Sequence, residues 1–351
     1  MGYARFIAGK TASYVLALLA AVSLLYVGIY PTLQKVIQAS AVEAASEFQR
    51  NLARGHPGLS LAQMASEVAT YKAAYLGAFG FDQPFPVKFA LQMANLFEFH
   101  LGSSFFIQAP DGSKQVSAIV AAYLPNTILL FTTGTLLVVA VGGVIGLLAA
   151  RSAGGKLDRV VPVVAIVHSS VPSWWIGFIF IAYFAYSLNV LPSGGISSVP
   201  PPAGTLPAFA DFLRHLTLPL FSFFIVNFGG FAYVTRSLAV STMGEDFVTT
   251  ARARGMTEGR VLFKHVLRTA SPSIVTQSIL AVAGSLGGAI VTEVVFRWPG
   301  LGFLTFEAII QNDLPVIIGS TFILTIILFM GLYIGELVYG VLDPRIKTGD
   351  L

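Results

Sequence analysis

At 351 residues the chain is long enough for two or three soluble domains, yet 55% of it is hydrophobic, 11% is charged and its mean hydropathy is +0.76, which describes a bilayer-embedded protein. A formal charge of +4 does not signal nucleic acid here, because the basic residues sit at the ends of apolar runs rather than on one stripe. The absence of cysteine excludes disulfides, thiolate metal sites and a Cys nucleophile.

A helix needs about 20 apolar residues to cross a hydrocarbon core about 30 Å thick. Six segments reach that length: Ala12 to Leu33, Leu124 to Ala150, Val160 to Leu188, Leu216 to Ala239, Ile274 to Phe296 and Val316 to Val341. The first resembles a signal peptide, with Arg5 and Lys10 ahead of it and Ala39-Ser40-Ala41 behind. Its charge-free run from Thr11 to Gln34 exceeds the roughly 7 to 15 residues of a signal-peptide core, so it is read as a retained span. Glu293 and Glu336 fall near predicted span ends, where a charge costs less than at the centre.

With the N-terminus inside, 13 of the 21 Lys and Arg residues lie in cytoplasmic segments, and the other eight are spread over one long outer segment and two shorter outer loops. The positive-inside bias therefore places both termini in the cytoplasm. The segment from Pro31 to about Tyr123 reads as an outer cap of several short helices, with apolar spacing at Val42, Ala45 and Phe48, and at Leu61, Met64 and Val68. Asp82 is a predicted N-cap for a helix through Val87, Leu91 and Ala94. Leu191 to Pro202 is too rich in Pro and Gly to be helical and reads as an outer loop. The predicted organisation is residues 1–34 as tail and first span, 35–122 as an extracytoplasmic helical segment, 123–345 as a five-helix core and 346–351 as a tail.

Within the core, residues 244–272 form a cytoplasmic loop between the fourth and fifth spans. They are too polar to cross the membrane and too regular in helix formers for a plain connector. The pattern predicts a helix from about Asp246 to Arg254, capped by Asp246, with Phe247, Val248 and Ala251 on one face. Gly255 stops it, and Thr257 caps a second helix carrying the stripe Val261, Leu262 and Val266, with Lys264, His265 and Arg268 toward its C-terminal end. Ala251, Ala253 and Gly255 are small enough to let another backbone approach. Physics alone leaves two readings: a helix seated in a partner's groove, or one lying on the anionic inner leaflet.

The loop residues Ala251, Gly255, His265, Arg268 and Pro272 resemble the cytoplasmic signature of permease subunits of prokaryotic ATP-binding cassette importers, in the spacing of the oligopeptide, dipeptide and nickel branch. Thr249-Thr250-Ala251 stands where that signature usually opens with Glu-Ala-Ala. Phe79 to Phe89 (FGFDQPFPVKF), Leu101 to Ser104 (LGSS), Leu124 to Thr127 (LPNT), the run from Glu293 (EVVFRWPGLG), Asn312 to Pro315 (NDLP) and Leu342 to Arg345 (LDPR) follow in the expected order. Residues from Pro31 to Tyr75 do not match, and no Gly-Asp-Pro follows the first span. The resemblance implies an all-α, six-span permease that pairs with a second homologous permease, rests on two cytoplasmic ATPase subunits and receives solute from an extracytoplasmic binding protein. It assigns Asp246, Val248, Ala251, Arg252, Arg254 and Gly255 to ATPase coupling, supported by His265 and Arg268. This chain then binds no cofactor of its own; ATP and Mg are used by the partner subunits. Peptides are the implied cargo, with oligosaccharides or nickel complexes as alternatives.

Other motifs give way. Gly9-Lys10-Thr11 lacks the first glycine of a phosphate-binding loop, whose place Ala4 holds. The five histidines show no metal-binding spacing beside a carboxylate, and no nucleophile and base pair for an intramembrane enzyme. A self-contained secondary transporter leaves the loop unexplained. His168, Ser169, Ser170, Asn227, Gln277 and Glu293 are candidates to line the solute pathway, against interhelical bonding for the polar ones and an Arg297 salt bridge for Glu293. Gly142 with Gly146, Gly284 with Gly288, and Gly331 with Gly335 are read as helix-packing pairs.

Overall fold

The computed structural model describes residues 2–56, 59–78, 83–285 and 290–342, and every regular element among them is a helix. Asp82, Gly288 and Asp343 to Arg345 lie outside the described residues. The chain divides into two packed units, one of residues 17–119 and 308–322, the other of the remaining described residues.

Four helices are long and apolar enough to span a bilayer: α1 (Gly2–Gly55), α4 (Val116–Arg151), α7 (Thr205–Met243) and α13 (Leu314–Leu342). The predicted third span is bent. α5 (Lys156–Ser169) and α6 (Ser173–Phe180, continued by a wider π turn, Ile181–Ser187) meet at 88°. Pro172 causes the break, because its ring disfavours the helical conformation at Val171 and it has no N–H to continue the ladder. Each half, at ~1.5 Å per residue, is too short to cross alone. The predicted fifth span also comes in two pieces, α10 (Leu267–Ser285) and α11 (Ile290–Val295), on either side of undescribed residues.

In the unit of residues 17–119 and 308–322, α1 does not end at Leu33. It carries Pro31 inside it and continues to Gly55, so the outer segment starts as an extension of the first span. Val22, Tyr26, Ile37, Ala41 and Ala45 are its buried residues, whereas Val42 is exposed. α2 (Leu61–Ala78) leans on it through Tyr71, stacked on Phe48 at 4.4 Å. α3 (Phe85–Phe97) begins behind Pro84, with Pro86 in the first turn where its missing N–H leaves no bond unmade. Leu96 is its buried anchor; Val87 and Leu91 are exposed, so the apolar spacing marked the outer face.

In the other unit, α7 packs along α5 and α6, and α4 approaches α7 closely at Gly142 and Gly146. A Cβ on Gly142 would come within 2.8 Å of the Phe228 carbonyl oxygen, and one on Gly146 within 2.8 Å of Thr235 Cβ. Gly331 sits in the same way against Ala283. Close contact was expected of Gly284 as well, but nothing lies within 4 Å of it. A core of Phe131, Ile181, Leu216, Leu218, Phe296 and Trp298 ties α4, α6 and α7 to the turn that follows α11.

Candidate functional site

The loop after α7 folds as two helical arms on a buried platform. α8 (Asp246–Ala253) is followed by α9 (Glu258–Arg260), which passes through a π turn, Val261–Val266, into α10. Val248, Val261, Leu262 and Val266 are fully buried and Ala251 nearly so; all pack with Ala150 of α4 and Ala239 of α7. Hydrophobic burial thus fastens the loop to the ends of two long helices.

Gly255 makes the turn. It has φ +77°, the left-handed conformation that costs an L side chain energy, and it completes a full C-terminal cap. The Met256 N–H donates to the Ala251 carbonyl at 3.3 Å, the Gly255 N–H donates to the Arg252 carbonyl at 2.9 Å, and Met256 folds onto the same apolar cluster as Ala251. Across the turn Arg252 grips Glu258 with two hydrogen bonds of 2.8 and 3.1 Å. That hydrogen-bonded guanidinium holds the Glu258 carboxyl below the usual carboxylate range. Glu258 lay outside the sequence-based set, since a pair six residues apart around a glycine turn matches no helical spacing.

Three expectations for the loop are corrected. The N-cap position belongs to Glu245 (φ −74°, ψ 149°), and no side chain caps the helix; Asp246 is the first helical residue, where its charge meets the positive end of the dipole. Phe247 is 38% exposed and does not share the buried face. Val248 and Ala251 point into the chain's own core, so they anchor α8 and do not lie on its outer surface. Asp246, Phe247, Thr249, Thr250, Arg252, Ala253, Arg254 and Gly255 remain exposed. Arg268 is exposed too, while His265 is half-buried with its Nε2 enclosed. Thr257 takes the N-cap backbone conformation without a side-chain hydrogen bond.

The pathway candidates scatter. Ser169 and Ser170 are exposed at the α5 end and turn their hydroxyls back to the Ile166 carbonyl, at 3.0 and 2.8 Å. Asn227, also exposed, donates to the Phe223 carbonyl at 2.7 Å, and Gln277 is exposed on α10. His168 is half-buried against α7, its ring 5.1 Å from that of Phe228.

Glu293 is neither on a surface nor paired with Arg297. It is 0% exposed, accepts hydrogen bonds from Thr127 Oγ1 at 2.8 Å and from the Phe303 N–H at 2.9 Å, and takes the space beside Gly300 that a side chain there would need. Thr127 in turn accepts from the Leu301 N–H at 2.7 Å. Asn126 donates to the Pro299 carbonyl at 2.8 Å, and the Trp298 indole donates to the Asn126 carbonyl at 3.0 Å. The LPNT and EVVFRWPGLG motifs are therefore the two halves of one latch. A second latch, in the other unit, joins LGSS to NDLP: Ser104 Oγ donates to Asp313 Oδ2 at 2.5 Å, and the Phe106 N–H donates to the same oxygen at 2.8 Å. Asp313 is fully buried.

Among the described residues no three His, Asp or Glu side chains converge as metal ligands.

The chain belongs to the binding-protein-dependent transport system inner membrane component family, matched over residues 142–348. It is similar to the oligopeptide transport system permease protein AppB of Bacillus subtilis, at 31% identity covering 78% of this chain and 84% of that one. A putative peptide transport system permease protein of Brucella abortus is 33% identical over 76% of this chain and 82% of its own. A probable peptide ABC transporter permease protein of Sinorhizobium fredii is 32% identical over 91% and 99%. These place the chain among the peptide-type permeases of ATP-binding cassette transporters.

Proposed function

We propose that the chain is one of two permease subunits in an ATP-driven importer of peptides, with α8 as the helix that couples it to a cytoplasmic ATPase. One observation carries this reading: α8 is fastened by Val248 and Ala251 to a core shared with α4 and α7 while Asp246, Phe247 and Arg254 stay exposed. A displacement imposed on the outer face of α8 is thereby passed to the long helices. ATP and Mg are handled by two ATPase subunits, and a binding protein delivers the peptide outside. The positive-inside bias supports a six-span order in which α10 and α11 contribute to the fifth span and both termini are cytoplasmic.

Purification of the chain together with the products of adjacent genes tests the assignment. A complex of two permeases and two ATPases is the expected result, and transport by this chain alone overturns it.

A further inference from the structure

α4, α10 and α13 leave a groove between them in the unit that holds α7. Leu136 and Val139 of α4, the face of α10 from Val275 to Ala283, and Gly331 and Ile334 of α13 enclose about 430 Å³, inside the ~300–1,000 Å³ range of small-molecule sites. Val275 lies seven residues past Arg268 and Ala283 fifteen, so at ~1.5 Å per residue the groove runs from about 10 to about 22 Å beyond the charged end of α10. That is the middle of a hydrocarbon core about 30 Å thick. Among the described residues that line it, Ser278 alone is polar, and its hydroxyl donates to the Ile274 carbonyl at 2.8 Å. The rest are Gly, Ala, Val, Leu and Ile.

This lining rejects a peptide, because each of its amides would give up water for no partner. It suits a helix of a neighbouring subunit no better. Helices associate in lipid through small residues that let backbones meet. Here those residues already face each other inside the chain, since a Cβ on Gly331 would come within 3.0 Å of Ala283. The rim is instead large and branched: Leu136, Val275 and Ile334 are 56%, 42% and 50% exposed. An empty groove would leave its walls without dispersion partners. We propose that it holds one acyl chain of a membrane phospholipid, recognised by its hydrocarbon and not by its headgroup. The chain lies along α10, over the small residues Ala283 and Gly331, which give the groove its depth.

The test is native mass spectrometry of the full-length chain in detergent micelles, with dioleoyl phosphatidylcholine and dioleoyl phosphatidylglycerol as the two probes. One lipid retained per chain is expected, with the two headgroups equal to within about twofold. Ser278→Phe, which fills the groove, is expected to lower that occupancy about tenfold. If Ser278→Phe fails to fold, as its unfolding midpoint reports, Val139→Phe takes its place and should do the same. The proposal is overturned by a chain that retains no lipid, by a tenfold or larger preference for one headgroup, or by a folded groove-filling variant that keeps its lipid. It is overturned as well if that variant loses a partner permease instead of a lipid, which would make the groove a subunit interface. The inference uses only the placement of the chain in a membrane, so its failure leaves the importer assignment to its own co-purification test.

Discussion

Glu293 shows how a charged residue near a span end becomes part of a fold. Its oxygens take a hydroxyl and a main-chain donor, and Thr127 stands between it and Leu301, so one side chain serves two hydrogen bonds. Replacing Thr127 with Val keeps the shape and leaves the Leu301 N–H and one carboxylate oxygen unpaired in a buried place. A loss of about 1–3 kcal/mol is expected, read as a lower unfolding midpoint in detergent, while Thr127→Ser should change it little. From the sequence, Glu293 was legible as unusual but not as internal. Thr127, which donates to it, lies 166 positions earlier, and no local spacing announces a contact of that length. Ser169 and Ser170, polar residues in an apolar run, suggest a solute route; their hydroxyls turn back to the Ile166 carbonyl, which also accepts from the Ser170 N–H at 3.2 Å.

The two-armed loop turns on Gly255, which has open space around it, so substitution there acts through backbone conformation alone. Gly255→Val should cost roughly 1–2 kcal/mol and release ATPase subunits from the purified complex, whereas Gly255→Asn, whose side chain tolerates the left-handed region, should retain them. The Arg252–Glu258 bridge predicts a pH effect of known sign. Because the folded carboxyl titrates below its ordinary value near 4.5, the bridge is intact above that value and is lost as the pH falls through the lowered one. Both side chains are about half-exposed, so the gain is at most about 1 kcal/mol. Amide exchange in α8 and α9 should therefore quicken between neutral and strongly acidic pH in the unaltered chain and change less in Arg252→Gln. Gly255 as a turn and the two helices were readable from composition. The inward face of α8 was not, since in eight residues Phe247, Val248 and Ala251 fit more than one apolar side.

For the whole molecule, apolar length revealed four spans directly, and it failed where the chain bends. Val160 to Leu188 is continuous in hydropathy, and only the conformational restriction that Pro172 places on Val171 turns it through 88°. Pro31 acted in the opposite sense: it read as an end and is carried inside a 54-residue helix. Because the natural chain has no cysteine, topology can be probed with single introduced thiols against a silent background. Thr250→Cys should react with a membrane-impermeant maleimide only in inside-out vesicles and Ala65→Cys only in right-side-out ones; the reverse pattern would invert the proposed orientation. The Ser104–Asp313 latch adds a constraint in time. Its halves are 209 residues apart, so at ~5–20 residues per second Ser104 leaves the ribosome about 10–40 s before its partner exists. Until then the Ser104 hydroxyl and the Phe106 N–H have no permanent acceptor, and a nascent chain cut short before Asp313 never completes a unit most of whose residues were made first.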